Sequence, residues 1–454
     1  LGGGLSLVMN TLSNEDYTVN LSFWQAFKYW LILGFISFGG PAGQISMMHQ
    51  ELVEKRRWIS EHRFLHALNY CMVLPGPEAQ QLATYIGWLM HGTWGGIMAG
   101  VLFVLPSLLI LLGLTWVYLA FGQLPIVAGI LYGIKPVVVA IVIHAAYRIG
   151  SRTLKNAVLW TLSIVAFIAM FVFKIPFPII VLSAGLIGLA GAYLIPDQFR
   201  SGSAHAETGK NIGTALINDD TPLPMSMQFQ RKRFILQLLV GLGIWAGVMG
   251  LLTLWYDWSG IFTQMGWFFT KAALLTFGGA YAVLPYVYQG GVEHYGWLTA
   301  TQMIDGLALG ETTPGPLIMI VAFVGFVGGW TQTALGPEML IEAGIIGGVI
   351  ATFFTFLPSF LFILLGAPLV ETTRHDIKFS APLVGITAAV VGVILNLAVF
   401  FAYHVFFPQG LAGQVEWFSV GLTALAFIAL FRLKMNMIAL IGIGAVVGML
   451  YNIL

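Results

Sequence analysis

The 454-residue chain is 58% hydrophobic and 9% charged, with a mean hydropathy of +0.88, which leaves too little polar surface for a water-soluble globule of this length. It reads as an all-α polytopic membrane protein. Its net charge of +1 gives no basic excess of the kind nucleic acid would require, and its one cysteine, Cys71, excludes an intrachain disulfide.

In chain order, residues 1–22 form a tail. It has no Lys or Arg in its first twenty residues and opens on Leu, which argues against a secretory signal and for a trimmed start. Apolar runs able to cross a core of ~30 Å at ~1.5 Å per residue then occupy 23–40, 64–91, 95–120, 125–147, 157–173 and 178–195. Residues 197–232, with Asp197, Lys210, Asp220 and Arg231 among Ser, Thr, Asn and Pro, have the composition of a flexible aqueous linker. An unmatched span at 233–256 follows, within a segment 233–259. Six further runs fill 260–454, at 260–279, 300–329, 339–366, 379–402, 416–431 and 435–453, for an expected total of thirteen spans.

The two sets of six are diverged copies. A shift of 239 carries Phe38, Gly39 and Gly40 onto Phe277, Gly278 and Gly279, Trp58 onto Trp297, and Pro75, Gly76 and Pro77 onto Pro314, Gly315 and Pro316. A shift of 252 carries Leu105, Pro106 and Ser107 onto Leu357, Pro358 and Ser359. Residues 23–196 and 260–454 are therefore read as homologous halves. Seven spans before the second half, an odd number, would set it in the membrane in the opposite sense, giving two inverted-topology repeats with broken helices. With the N-terminus inside and each Pro-Gly-Pro segment crossing fully, the basic loops at 148–155, 374–378 and 432–434 stay cytoplasmic, as does the linker. The loop 41–63, with Lys55, Arg56, Arg57 and Arg63, then falls outside, either as an anion-attracting vestibule or as a helix lying at the headgroups. Making both Pro-Gly-Pro segments re-entrant, with the N-terminus outside, repairs that loop but displaces two C-terminal basic loops, so thirteen crossings fit better.

Each Pro-Gly-Pro interrupts an apolar run, and proline inside a helix removes a donor and clashes with the preceding turn. Pro77 and Pro316 each suit the first turn of a new half-helix, whose free amides and positive dipole end would face the break and attract an anion. The Phe-Gly-Gly elements either mark further breaks or are helix ends and small packing faces. Lys135 and Lys271 lie inside spans, where ionisable groups are costly, and together would neutralise a dianion unless they snorkel to an interface. Glu78 and Glu311 put one carboxylate at each break. One that took up a proton together with the anion would couple transport to the proton gradient, whereas Glu78 is equally well explained as a first-turn carboxylate favoured by the dipole. Gln44, Asn69, Gln80, Gln81, Thr312 and Thr313 are neutral hydrogen-bonding groups near the breaks, suited to an oxyanion. His62 and His66 have ligand spacing but lack a third partner, so no metal site is expected, and no phosphate-cradling motif surrounds Lys210.

The elements FGGPAGQI, VEKRRWI and LPGP in the first half, with FGG, Trp297 and TPGP in the second, resemble the chromate ion transporter (CHR) family, long two-domain type, over about 23–454. The resemblance implies a secondary transporter of the bacterial inner membrane that expels chromate, with sulfate or another oxyanion, or an anion channel, as alternatives. It is not an enzyme and takes no cofactor; its partners are the oxyanion and the lipid bilayer, with homo-oligomerisation open. Family motif positions fall on Gly39, Gly40, Pro41, Arg57, Trp58, Pro75, Gly76 and Pro77, and on Gly278, Gly279, Pro314, Gly315 and Pro316. Tyr295 and Gly296 stand where the first half has Arg56 and Arg57, so any basic role there is asymmetric.

Overall fold

The computed structural model describes residues 21–38, 40–199, 215–219, 221–225, 227–277, 279–372 and 380–453. Sixteen α-helices account for most of them. The first seven are α1 (Phe23–Ile36), α2 (Gly40–His49), α3 (Glu61–Val73), α4 (Glu78–Phe121), α5 (Pro125–Thr153), α6 (Ala157–Phe171) and α7 (Phe177–Leu194). A single helix, α8 (Arg231–Tyr256), precedes α9 (Ile261–Leu274), α10 (Ala280–Tyr288), α11 (Ala300–Thr312), α12 (Ile320–Thr331), α13 (Leu340–Thr372), α14 (Ser380–Phe406), α15 (Trp417–Phe431) and α16 (Met437–Ile453). The shift of 239 also relates local structure: it maps α3 onto α11 residue for residue, and the π turn Gln50–Lys55 onto the π turn Gln289–His294.

Among the described residues, six helices are long and apolar enough to cross a membrane, namely α4, α5, α7, α8, α13 and α14, with α6, α12 together with the turn before it, α15 and α16 as shorter apolar helices. The expectation of thirteen full crossings is corrected by the elements around the breaks. Helices α1, α3, α9 and α11 have 13 or 14 residues, about 20 Å of rise, and each is followed by a reversal. Arg63, at the start of α3, and Tyr85, beyond the first Pro-Gly-Pro, both bond the Glu371 carboxylate, at 3.0 and 2.8 Å. The second Pro-Gly-Pro behaves alike: a Cβ on Gly306 of α11 would lie 2.3 Å from the Phe323 ring of the returning strand of chain, and Thr331 Oγ1 donates to Trp297 O at 2.8 Å. The Phe-Gly-Gly segments fold back too, since Tyr29 meets Trp58 at 5.4 Å and Phe268 stacks on Tyr286 at 4.8 Å between ring centroids. Each half thus begins with two hairpins that reach the middle of the bundle and return.

The pivot of each reversal is a glycine in the left-handed region: Gly40 and Gly279 (φ 69° and 99°) at one pair of matched positions, Gly76 and Gly315 (φ 131° and 101°) at the other. Side chains with a Cβ adopt these angles only at a cost. In α4 a further break at His91 (φ −139°) and Gly92 (φ 63°) separates two antiparallel arms, 78–91 and 93–121. The arms close tightly because Gly87 lies against Gly95 and Ala99, where a Cβ would meet both at 2.5 Å.

The first two hairpins start from the end of the bundle where His91 contacts Phe23 and the Leu21 carbonyl. The second pair starts from the opposite end, where Trp297 meets Thr331. α8 joins these ends, from Gln237 against Thr93 to Tyr256 against Phe262. Because the first four hairpin arms all return to their own end, the 41–63 segment shares that end with Arg152, Lys155, Arg231, Lys232, Arg233, Arg432 and Lys434. Among the described residues, the loops and helix termini of the other end hold Asp257, Glu293, Glu338, Glu342 and Glu416, with Lys174 as a lone base. Arg200, Lys210, Asp220, Arg374 and Lys378 lie outside the described residues. Part of the linker is docked rather than loose: Leu216 N and Ile217 N donate to Arg57 O and Trp58 O at 2.9 and 3.0 Å, and Ser60 N donates back to Ile217 O at 3.0 Å.

Candidate functional site

The tips of the two Pro-Gly-Pro hairpins come to the middle of the bundle from opposite ends. Gly76 lies against Ser359, midway along α13, and Gly315 against Ser107, midway along the second arm of α4. These are matched positions in the two halves. Each tip is also fastened to the Phe-Gly-Gly break of the other half. Gly76 N donates to Thr276 O at 2.7 Å, and Gly315 N donates to Ser37 O at 2.8 Å. The pairing is reciprocal, as a two-fold relation between the halves requires.

Helix polarity decides what these breaks offer. The incoming helices α1, α3, α9 and α11 bring carbonyl ends to the centre, and the outgoing ones, α2, α4, α10 and the 3₁₀ turn Leu317–Met319 before α12, bring amide ends. Donors cover the carbonyls. Besides the two glycine amides, Gln44 Nε2 donates to Ser37 O at 3.1 Å and to Gly315 O at 2.5 Å, and Gln81 Nε2 donates to Pro75 O at 2.8 Å. The amide ends are treated differently, for no side chain caps α4 at Pro77, α10 at Gly279 or the turn at Pro316. Uncapped amino ends carry the positive end of the helix dipole, so these breaks offer backbone donors to an anion.

The structure gathers some of the sequence candidates here and leaves others elsewhere. Gly40, Pro41, Gln44, Pro75, Gly76, Pro77, Gly279, Thr313, Pro314, Gly315 and Pro316 belong to the breaks, and Thr313 spends its hydroxyl on Gly310 O at 3.0 Å. Gly39 and Gly278 lie outside the described residues. Arg57 is exposed in the loop that receives the docked linker, with φ 53°, and Asn69 is exposed on α3. Lys135 is engaged by Asp305 at 3.5 Å, whose other oxygen accepts from the Tyr118 hydroxyl at 2.9 Å. Lys271 sits over the Trp267 ring at 5.7 Å. Glu78 is half-buried in the first turn of α4, and Glu311 accepts a short hydrogen bond from Tyr281. No cluster of three potential metal ligands occurs among the described residues. A cavity of about 280 Å³ lined by Trp88, His91, Arg233 and Pro368 opens at the basic end, away from the tips.

Sequence reasoning passed over Ser37, Ser107, Ser359, Asp305, Tyr118 and Tyr281. The serines carried a signal, because Ser107 and Ser359 stand in the duplicated Leu-Pro-Ser and Ser37 matches Thr276 just before Phe-Gly-Gly. Asp305 was detectable as a carboxylate within the 300–329 apolar run, which pairs naturally with an intramembrane lysine.

Paired broken helices with uncapped amino ends at the middle of an apolar bundle fit a polytopic membrane protein of the transporter class. The Chromate transporter family model matches residues 24–189 and 263–449, and the chain belongs to that family. A chromate transport protein of Pseudomonas aeruginosa is 32% identical over 437 residues, covering 95% of this chain and 92% of the relative. A chromate transport protein of Cupriavidus metallidurans is 30% identical over 380 residues, 83% of this chain and 82% of the relative. The uncharacterized transporter YwrA of Bacillus subtilis is 30% identical over 166 residues, which make up 36% of this chain and 93% of that protein. No solved structure matches the chain.

Proposed function

We propose that the protein is a secondary transporter that moves chromate, a tetrahedral dianion, outward across the bacterial inner membrane by alternating access. The two halves, 23–196 and 260–454, act as inverted repeats joined by the linker and by α8, which reverses the sense of the second half. The observation that carries this reading is the reciprocal pair of bonds from Gly76 to Thr276 and from Gly315 to Ser37: two tips from opposite ends, each latched to the other half, form a barrier that opens toward either side if one hairpin withdraws. Basic loops are retained on the cytoplasmic side, so the end carrying Lys55, Arg56, Arg57, Lys155 and Arg233 is assigned as cytoplasmic. Four hairpins make the 41–63 loop conform to that rule without a vestibule. The substrate is held between the tips by the residues of Pro75–Pro77 and Pro314–Pro316 together with Gln44, and Glu78 or Glu311 carries the coupling proton.

The test is flux in proteoliposomes reconstituted with the full chain. Saturable chromate uptake, with counterflow when chromate is loaded on the far side and competition by sulfate, is expected of a carrier. Flux that rises linearly with concentration and lacks counterflow would make the protein an anion channel.

A further inference from the structure

Around the two tips lie five buried side-chain atoms that have no hydrogen-bond partner, the hydroxyls of Ser37, Ser107 and Ser359 and the Oε1 atoms of Gln44 and Gln81, while others, among them Tyr29 Oη, Trp30 Nε1 and Thr263 Oγ1, are spread singly over the bundle. Ser37 and Ser107 are 0% exposed and Ser359 is 1% exposed. Leaving buried polar atoms unpaired costs free energy, and in native proteins such atoms are few and call for an explanation. Their concentration at one place, on five different segments, distinguishes them from scattered packing defects. A serine in a helix ordinarily has an escape, donating to the carbonyl four residues earlier. Thr115, Thr352 and Thr355 on the same two helices do so, at 2.6, 2.8 and 2.7 Å. Ser107 and Ser359 do not, and each faces the tip of the opposing hairpin, where a Cβ on Gly315 would stand 2.9 Å from Ser107 Oγ and one on Gly76 would stand 2.3 Å from Ser359 Oγ.

We infer that Ser107 and Ser359 form a matched pair of hydroxyl donors for a tetrahedral oxyanion, one on each side of the bundle centre, in a binding site built from neutral groups. The inference rests on the transport reading above and specifies its site. The amino ends of α4 and α10 also point toward the centre and favour an anion there. Both intramembrane lysines have other company, in Asp305 and in the Trp267 ring. A hydroxyl can turn its proton toward an oxyanion and away again as the opposing tip moves, so the same two residues serve both access states. Neutral donors also discriminate by number and direction of hydrogen bonds, favouring four-oxygen dianions such as chromate, sulfate and molybdate over planar or monovalent anions.

The experiment is equilibrium dialysis of the purified full chain in detergent against chromate, read by its own absorbance, with Ser107→Ala, Ser359→Ala and, as a control, the exposed Ser151→Ala. The inference expects each tip-facing variant to bind chromate at least tenfold more weakly, about 1.4 kcal/mol, with an unchanged melting temperature, while Ser151→Ala binds as the parent does. Because the two serines are matched, either variant that retains its fold is sufficient. Parental binding by both variants overturns the hydroxyl site and leaves the transport reading standing. If the parent protein itself binds neither chromate, sulfate nor molybdate, the transport reading falls and the inference falls with it.

Discussion

Arg63 and Glu371, 308 residues apart in sequence, form a 3.0 Å ion pair whose side chains are 3% and 0% exposed. The pair fixes the outer part of the first Pro-Gly-Pro hairpin to the last turn of α13. Arg63 Nη1 donates to the carbonyls of Asn218 and Thr221, at 2.9 and 3.1 Å, so the docked linker closes over the pair. Removing one member of such a pair leaves a buried charge without compensation and typically costs about 3–5 kcal/mol. Arg63→Met should therefore lower the melting temperature of the detergent-solubilised protein markedly. Combining it with Glu371→Gln should restore much of the loss, a recovery that a double-mutant cycle measures directly.

Hairpins and full crossings give opposite labelling patterns. The Cys71→Ala variant supplies a cysteine-free background, into which single cysteines are placed at Lys55, Trp94 and Glu338. Because all four arms of the first two hairpins return to one end, an impermeant thiol reagent should label positions 55 and 94 from the same side and position 338 from the other. Labelling of 55 and 94 from opposite sides would restore a crossing at the first Pro-Gly-Pro.

The tip glycines should be intolerant of a single methyl group. Alanine at position 76 would set its Cβ 2.3 Å from Ser359 Oγ and 2.5 Å from Gln81 Nε2, at a φ of 131°. Gly315→Ala meets Ser107 Cβ at 2.6 Å with φ 101°. Both should reduce chromate flux at least tenfold. Gly113→Ala on α4, which has open space around it, should leave flux at the parental level in the same proteoliposome assay.

Lys135 and Asp305 are expected to behave as partners. Lys135→Met strands the Asp305 carboxylate, and Asp305→Asn strands the ammonium, so each single variant should lose flux by an order of magnitude or more. The double variant should recover to within a few-fold of the parent. A double variant as impaired as the worse single one would return Lys135 to a direct role in binding the anion.

Glu311→Gln should separate binding from coupling. Chromate binding by dialysis is expected to stay within threefold of the parent, and the dependence of flux on an imposed pH gradient is expected to vanish where Glu311 is the coupling carboxylate and to persist where Glu78 is. Tyr281→Phe, which removes the hydroxyl that Glu311 accepts from, should shift the pH dependence without abolishing it.

The centre of the molecule was legible in the sequence because it is written twice. Phe-Gly-Gly and Pro-Gly-Pro locate the breaks, and the matched glycines at 40 and 279, and at 76 and 315, do take left-handed angles. The path between the breaks was not legible. An apolar run such as 64–91 has the length of one crossing, and it has the same length when folded into two arms that each reach the middle of the bundle. Hydropathy records apolarity and not direction, so the reversal at Gly76 left no mark in it. The misplaced charge of Lys55–Arg57 was the trace of that error, and reversing at the Phe-Gly-Gly elements as well as at Pro-Gly-Pro removes the conflict. The partners of Lys135 and Arg63 were hidden for another reason. Asp305 and Glu371 lie 170 and 308 residues away, in the other half, and only the assembled bundle brings them together.

The bonds between tips and breaks also constrain the order in which the chain can be completed. When residues 23–196 have emerged from the ribosome, the Ser37 carbonyl and the Gly76 amide are already committed to the interior, but Gly315 and Thr276 have not yet been synthesised. The early half must wait, its Ser37 carbonyl held only by Gln44 and its Gly76 amide without Thr276, until the late half arrives from the other side. The final closing step of biogenesis is thus a docking of one half into the other.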